Sequence, residues 1–431
     1  MGSTDHALSK DGPTAGLAAR RRHFLLGCIA FSFLTMCLIG VGLVGVSWVA
    51  ANHGTIALVG QLFFISGVTN IVVSAIGGVL VDRRSRRSMV LRGQVVRLLG
   101  TTILFAGVLY PAWLTFALFA STILNTAGPA SGGGAMAGVF QKLFPPEQRM
   151  RINMRLGVVG QVGFVAGTGI SGVALHLWGA ELCVGLMVVI AGVLLILGDY
   201  FTRDMTEAPP PTGNSFSADW REGLRYALTD WRLAGAILGV ALLVSVAQMT
   251  NTLVPGFVRD TLHAGSDVYG LLEAVWSAGG GSALAAAAFL RQQSSYRGWV
   301  EFAMLAVLGL VMVAFALSRS VSVAVALYAI MGALFALSRA VCSGRILTLA
   351  DPAYIGRVLA LTSMLTSGTG MVIYIMPTFV LIADIALYYQ AWGIAILVTG
   401  LGLAGASWHM ERNTTAASAA GAARSRPGRP V

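Results

Sequence analysis

Residues 77–87 read Gly-Gly-Val-Leu-Val-Asp-Arg-Arg-Ser-Arg-Arg, and they stand where a long apolar run meets a cluster of charges. The run that leads into this cluster, residues 56–81, contains no charged residue. About 20 apolar residues cross a bilayer as an α-helix, and arginine accumulates at the cytoplasmic ends of such helices. The stretch therefore predicts a membrane-spanning helix that ends in a cytoplasmic loop.

The composition extends this prediction to the whole chain of 431 residues. Hydrophobic residues make up 56% and charged residues 11%, whereas soluble domains carry about 25% charged residues. The apolar runs are continuous and do not alternate with polar residues, which excludes an outer-membrane barrel. We therefore predict an all-α integral membrane protein with twelve transmembrane helices, at residues 24–50, 56–81, 89–110, 113–139, 152–177, 180–201, 233–258, 268–290, 299–317, 321–342, 358–381 and 387–408.

The distribution of basic residues predicts the orientation. If the N-terminus lies inside, the inner segments hold 23 Lys and Arg residues and the outer loops hold 2. Positive charge favours the cytoplasmic side, so both termini are expected in the cytoplasm of a bacterial-type inner membrane. The net charge of +11 is explained by these helix ends. Because no basic patch with interleaved aromatic residues occurs, nucleic-acid binding is not predicted.

A polar, proline-rich break divides the chain in the middle, at residues 204–217. It is predicted to be a linker, followed by an amphipathic helix at the membrane interface. Pro146 and Arg151 match Pro352 and Arg357 at a displacement of 206 residues, which indicates two repeated halves. The expected organisation is a cytoplasmic N-terminal tail (1–23), an N-terminal six-helix half (24–203), a cytoplasmic linker with the interfacial helix (204–232), a C-terminal six-helix half (233–410) and a disordered cytoplasmic tail (411–431).

The stretch at residues 77–87 resembles the signature loop of the major facilitator superfamily, Gly-x-Leu-x-Asp-Arg-x-Gly-Arg-[Arg/Lys]. Ser85 replaces the usual glycine, and six positions match, namely Gly78, Leu80, Asp82, Arg83, Arg86 and Arg87. The span number, the orientation, the central linker and the repeat also fit this major facilitator fold. The resemblance implies an alternating-access transporter in which Asp82 and its arginines stabilise the outward-facing state.

A second segment, residues 163–172, is similar to the antiporter motif of facilitator drug exporters, although Thr168 replaces a proline and Ser171 a glycine. Two interpretations stay open, an export-specific motif and simple close packing of helices, and both concern Gly163, Gly167, Gly169 and Gly172. Resemblance to the drug and siderophore efflux branch extends to three further segments, Pro145–Arg149, Asn251–Pro255 and Gly356–Val358.

Ionisable side chains inside the membrane are costly, which makes each of them a candidate functional group. Glu273 lies about one turn into the eighth predicted span, and a carboxylate removed from water can exchange a proton during transport. The alternative is an interfacial carboxylate that faces water or pairs with an arginine. Arg97, in the third span, is expected to pair near the signature loop.

Uncharged polar residues are the candidates for a substrate cavity. The family resemblance implies that the first, fourth, seventh and tenth spans face this cavity, which nominates Thr35, Asn125, Gln161 (from the fifth span), Gln248, Asn251 and Tyr328. Each of them is equally suited to a hydrogen bond between helices. No phosphate-binding Gly-Lys-[Ser/Thr] motif and no cluster of paired carboxylates, His or Cys at one depth occurs, so no cofactor, metal or enzymatic activity is predicted.

Together these features predict a monomeric secondary active transporter in the lipid bilayer. Its expected cycle is alternating access, with protons exchanged for a small amphipathic compound of the drug or siderophore class. The alternatives are an importer of a nutrient or siderophore and, from another class, a non-transporting membrane scaffold. A scaffold would not need the cluster around Asp82.

Overall fold

The computed structural model describes residues 13–81, 86–143, 146–203, 225, 229–289, 298–351, 354–379 and 384–424. These residues form helices and no strand. Ten of the helices are α1 (Pro13–His53), α2 (Ile56–Val81), α3 (Arg86–Leu109), α4 (Leu114–Leu143), α7 (Trp231–Gly256), α8 (Ser266–Phe289), α9 (Gly298–Leu317), α10 (Val321–Leu349), α11 (Ile355–Phe379) and α12 (Ile385–Arg424).

The fifth and sixth helices lie in one helical stretch, Pro146–Thr202. Gly179 breaks this stretch, because its φ of 81° is incompatible with an α-helix. Only glycine adopts such a positive φ without strain. The break separates α5 (146–178) from α6 (180–202), between the two spans predicted at 152–177 and 180–201.

The described helices confirm the all-α membrane fold. Eight segments of the described residues are long and apolar enough to cross a membrane, and the longest, Met154–Tyr200, contains both α5 and α6. Helices suit this environment because each one satisfies its backbone hydrogen bonds internally, where lipid offers no partners. A helix of 26 residues, such as α2, is about 39 Å long, which exceeds the hydrocarbon core of a bilayer.

The C-terminal end of the chain differs from the sequence-based expectation. Helix α12 continues to Arg424, so the tail expected to be disordered from residue 411 is helical up to that point. The physical reason is composition, since six of the residues 411–424 are alanine, the strongest helix former. Helix α1 begins at Pro13, so part of the expected N-terminal tail is helical, which that expectation left open. Most of the linker at 204–232, including its interfacial helix, lies outside the described residues.

The described residues form two compact units. The first contains most of α1 to α6. The second contains α7 to α12 together with Val46–Gly67 and Leu175–Leu177, so it also includes one end of α1 and the beginning of α2. Within the first unit α3 packs along α4, and within the second α8 packs on α10, α9 on α12 and α7 on α11.

Candidate transport site

Glu273 is a buried carboxylate in the second unit. It lies about two turns from the start of α8, and only 3% of the residue is exposed. Tyr269 and Ser277, one turn before and after it, are buried as well. Residues four apart share one face of a helix, so this face of α8 points into the unit. The burial disfavours the alternative of an interfacial carboxylate that faces water.

Tyr328 of α10 is the hydrogen-bond partner of Glu273. Its hydroxyl donates to Oε1 of Glu273 at 3.2 Å, and the tyrosine is fully buried. The sequence nominated both residues, Glu273 for proton coupling and Tyr328 for the cavity, but it gave no sign that they meet. The structure therefore places Tyr328 beside the candidate coupling residue.

Two glycines allow α8 and α10 to come close enough for this hydrogen bond. A Cβ atom at Gly332 of α10 would overlap the backbone carbonyl of Trp276, and one at Gly279 of α8 would overlap the carbonyl of Ala329. Small residues let helix backbones approach in this way. Tyr328 lies one turn before Gly332, so the contact holds Tyr328 against Glu273.

Aromatic side chains surround the pair. The ring of Tyr328 lies 5.0 Å from that of Trp276 and 5.2 Å from that of Phe315, measured between centroids. Tyr389 of α12 packs against Phe315 at 5.4 Å, and its hydroxyl donates to the carbonyl of Thr250 at 3.2 Å. Among the described residues, no Arg, Lys or His forms an ion pair with Glu273. The site is thus a buried aromatic pocket around one carboxyl group.

The candidate cavity residues of the first unit lie in three different surroundings. The amide of Asn125 donates to the carbonyl of Ser121 on its own helix, and its nitrogen lies beside Gly100 of α3. The hydroxyl of Thr35 is buried, and it has no hydrogen-bond partner among the described residues. Gln161 is exposed. The structure does not bring these three side chains together, and their role in a cavity stays a prediction.

Gln248 and Asn251 of α7 both face α11. The amide of Gln248 donates to the carbonyl of Thr366 at 3.2 Å, and Asn251 forms a hydrogen bond with the side chain of Tyr374. Both side chains therefore form hydrogen bonds between helices, which is one of the two uses that the sequence left open; the other is a substrate cavity. The second carboxamide atom of Gln248, Oε1, is buried without a partner among the described residues.

The signature loop is described only at its end, because Asp82, Arg83 and the rest of residues 82–85 lie outside the described residues. Gly78 lies in α2 and Arg86 begins α3. Arg87 donates to Asp199 of α6 at 2.5 Å, and Arg203 pairs with the same carboxylate at 3.1 Å. No pattern in the sequence indicates this partner of Arg87, since Asp199 is 112 residues away along the chain.

The antiporter-like segment packs closely against α1. A Cβ atom at Gly163 would overlap the carbonyl of Phe33, and one at Gly167 would overlap the carbonyl of Cys37. Gly169 differs, because an added Cβ atom there would meet nothing within 4 Å. Gly172 is buried on the same helix, where the hydroxyl of the neighbouring Ser171 donates to the carbonyl of Val41 at 3.1 Å. Close packing explains Gly163 and Gly167 but not Gly169.

The second unit contains a buried ion pair that the sequence does not predict. Glu301 of α9 lies 3.6 Å from the guanidinium of Arg345 of α10, and their side chains are 1% and 14% exposed. Glu301 stands in the first turn of α9, a position typical of an interfacial carboxylate, so its burial had no signal in the sequence. Arg97 of α3 is also buried, at 3% exposure, without an ion pair among the described residues; the signature loop with which it was expected to pair lies mostly outside them.

The described residues offer no metal site, since no group of three or more His, Cys, Asp or Glu side chains lies close enough to hold an ion. The four cysteines are free and buried.

Comparison with known proteins gives a family and a fold. Residues 24–374 match the family model described as Major Facilitator Superfamily. No curated protein matches the chain.

Solved transporters share the architecture over nearly the whole chain. A bacterial homologue of the iron transporter ferroportin has a TM-score of 0.71 at 15% identity, over 90% of this chain and 99% of that one. The peptide transporter POT in complex with sulfate has a TM-score of 0.67 at 14% identity, over 89% of this chain and 95% of that one. The nucleoside transporter NupG has a TM-score of 0.65 at 14% identity, over 90% of this chain and 98% of that one. At such low identity these likenesses establish the fold alone.

Proposed function

Because the chain belongs to the Major Facilitator Superfamily and is a secondary transporter, we propose that it exports a small amphipathic compound, of the drug or siderophore class, in exchange for protons. Glu273 carries the proton in this proposal. The observation that supports it is the burial of Glu273 in an aromatic pocket, with a tyrosine hydroxyl as its partner and no cation beside it among the described residues. An exchanger needs such a group, whose protonation changes between the two open states.

The physical argument concerns the cost of a buried charge. An ionised carboxylate without a cationic partner loses its hydration in a low-dielectric site, whereas a protonated carboxyl group loses much less. A closed site therefore favours a carboxyl group that carries its proton, and an open, hydrated site allows release. Movement of the protein between these states would carry one proton across the membrane.

The small number of buried charged side chains favours a cargo of low net charge. Among the described residues, the Asp, Glu, Lys and Arg side chains buried inside the helices are Glu273, Arg97 and the Glu301–Arg345 pair. The pair neutralises itself, and Glu273 is assigned to the proton. A cargo of low net charge fits this set better than a highly charged one, because few side chains remain to compensate its charge.

The orientation completes the proposal. The chain acts as a monomer in a bacterial inner membrane, its halves are residues 24–203 and 233–410, and the linker and both termini lie in the cytoplasm. Asp82, with Arg83, Arg86 and Arg87, stabilises the outward-facing state. A cysteine in place of Asn214 should then resist a membrane-impermeant thiol reagent in intact cells and react in inside-out vesicles. Reaction in intact cells would reverse the orientation.

The transport experiment uses inside-out vesicles that contain the full chain. Ethidium, a fluorescent amphipathic dye, and a catecholate siderophore serve as probes of the two cargo classes. The proposal expects accumulation of at least one probe when a proton gradient is imposed, and loss of accumulation when an ionophore collapses the gradient. In Glu273→Gln, accumulation should disappear while exchange of labelled for unlabelled probe continues. The matched control is Glu181→Gln, which changes an exposed acid. Gradient-driven accumulation in Glu273→Gln equal to that of the wild type would overturn the assignment.

A further inference from the structure

We propose that Trp48 of α1, stacked on Tyr269 of α8, is the outer gate that separates Glu273 from water on the periplasmic side. This inference rests on the proposed function and orientation, and it adds the residues that control access of the proton. The ring centroids of Trp48 and Tyr269 lie 6.1 Å apart, with an angle of 24° between the planes. Both residues belong to the second compact unit.

The gate is a short stack between the surface and the carboxyl group. Asn52 is exposed at the end of α1, and its amide donates to the carbonyl of Trp48, one turn deeper. Trp48 covers Tyr269, which is 0% exposed. Tyr269 in turn lies one turn before Glu273 on the same face of α8. Water that approaches Glu273 along this face of α8 would have to pass both rings.

Two contacts hold the end of α1 and the start of α2 over this stack. The guanidinium of Arg259 donates to the carbonyl of Ala51 at the end of α1. Ile56, the first residue of α2, fills the space beside Gly256, where a Cβ atom would overlap it. These residues belong to the same compact unit as α7 and α8. If the ends of α1 and α2 move away from α7 and α8, the ring of Trp48 leaves Tyr269, and Glu273 becomes accessible.

The titratable groups around Glu273 are consistent with a gate made of rings. Among the described residues, the titratable side chains that interact with Glu273 are Tyr269 on α8, Tyr328 on α10 and Tyr389 on α12. Two pairs of ionisable side chains lie nearer the proposed outer surface, Arg259 with Asp260 at 2.6 Å and His176 with Asp267 at 3.3 Å. Exclusion of water by the two rings therefore controls the access of protons from this side.

The test measures aqueous access without relying on transport. Glu273→Cys is placed in the full chain after the four native cysteines are replaced by serine, and a small, membrane-impermeant methanethiosulfonate is added from outside. We expect slow labelling with Trp48 present and labelling at least ten times faster after Trp48→Ala. Trp48→Leu, which keeps most of the apolar volume without the flat ring, should also label faster. The matched control is Trp113→Ala, since Trp113 is 67% exposed and its ring meets Phe116 edge-on at 6.4 Å between centroids, in a different compact unit from Glu273.

A second measurement separates the gate from the proton assignment. Proteoliposomes that contain the Trp48→Ala variant, with Glu273 present, should leak protons in the absence of cargo. The double variant Trp48→Ala/Glu273→Gln should not leak. Unchanged labelling in both Trp48 variants, when each elutes as a folded protein, would overturn the gate. Faster labelling together with a leak that persists in Glu273→Gln would leave the gate standing and overturn Glu273 as the proton carrier.

Discussion

The close approach of α8 and α10 can be tested by adding a single methyl group. In Gly332→Ala the new Cβ atom would overlap the carbonyl of Trp276, so the two helices must separate by about 1 Å to restore van der Waals contact. The hydrogen bond from Tyr328 to Glu273 is 3.2 Å long and lies one turn away. A separation of that size extends it beyond hydrogen-bonding range.

The energetic result follows from three contributions. Overpacking costs about 1–3 kcal/mol, the lost hydrogen bond costs about 1 kcal/mol, and replacement of glycine by alanine in a helix returns about 1 kcal/mol. The free energy of unfolding should therefore fall by about 1–3 kcal/mol. Gly281→Ala is the matched control, because its added Cβ atom meets nothing within 4 Å, so it should be neutral or stabilising by up to about 1 kcal/mol.

The assay is thermal unfolding of both purified variants in the same detergent, followed by gradient-driven transport in vesicles. Gly332→Ala should unfold at a lower temperature than the wild type and transport more slowly, whereas Gly281→Ala should do neither. If Gly332→Ala gains stability as Gly281→Ala does and transports normally, the contact between α8 and α10 does not position Tyr328, and the reasoning about the site fails.

Three further predictions concern other contacts. Glu301→Gln should lower the free energy of unfolding by about 3–5 kcal/mol because it leaves the charge of Arg345 without its partner. The double variant with Arg345→Gln should lose less stability than Glu301→Gln alone. If unfolding in detergent shows equal losses for the single and the double variant, Glu301 and Arg345 are not coupled. Gly167→Leu should abolish folding or sharply reduce stability through its contact with α1, whereas Gly169→Leu should be tolerated; equal expression and melting temperatures would contradict the packing account. Asp82→Asn should slow transport and shift thiol accessibility toward the inward-open state, and wild-type flux with unchanged accessibility would remove the signature loop from the mechanism.

The positions of the helices were largely predictable from the sequence. The apolar run at residues 56–81 coincides with α2, because lipid requires a continuous apolar surface and charges mark its ends. Gly179 fell between two predicted spans, as the break in the structure requires. The disorder expected from residue 411 was wrong up to Arg424, because alanine favours a helix without any apolar partner.

Pairs of side chains were much less predictable. Glu273 stood out because a carboxylate inside an apolar run is rare, but its contact with Tyr328 joins residues 55 positions apart. Such a pairing depends on the register of two helices, which single-helix patterns do not specify. Glu301 was overlooked for the same reason: its position in the first turn of α9 resembles an interfacial one, and only the approach of α10 buries it beside Arg345.

The central claim is that Glu273 carries the proton, and its most direct test is the pH inside proteoliposomes that contain the purified chain. A pH-sensitive dye in the lumen reports proton movement when a compound that the wild type transports is added outside. The wild type should move protons in the direction opposite to the compound. Glu273→Gln should exchange the compound with no change of lumenal pH. Proton movement in Glu273→Gln at the wild-type ratio of protons to compound would contradict the account.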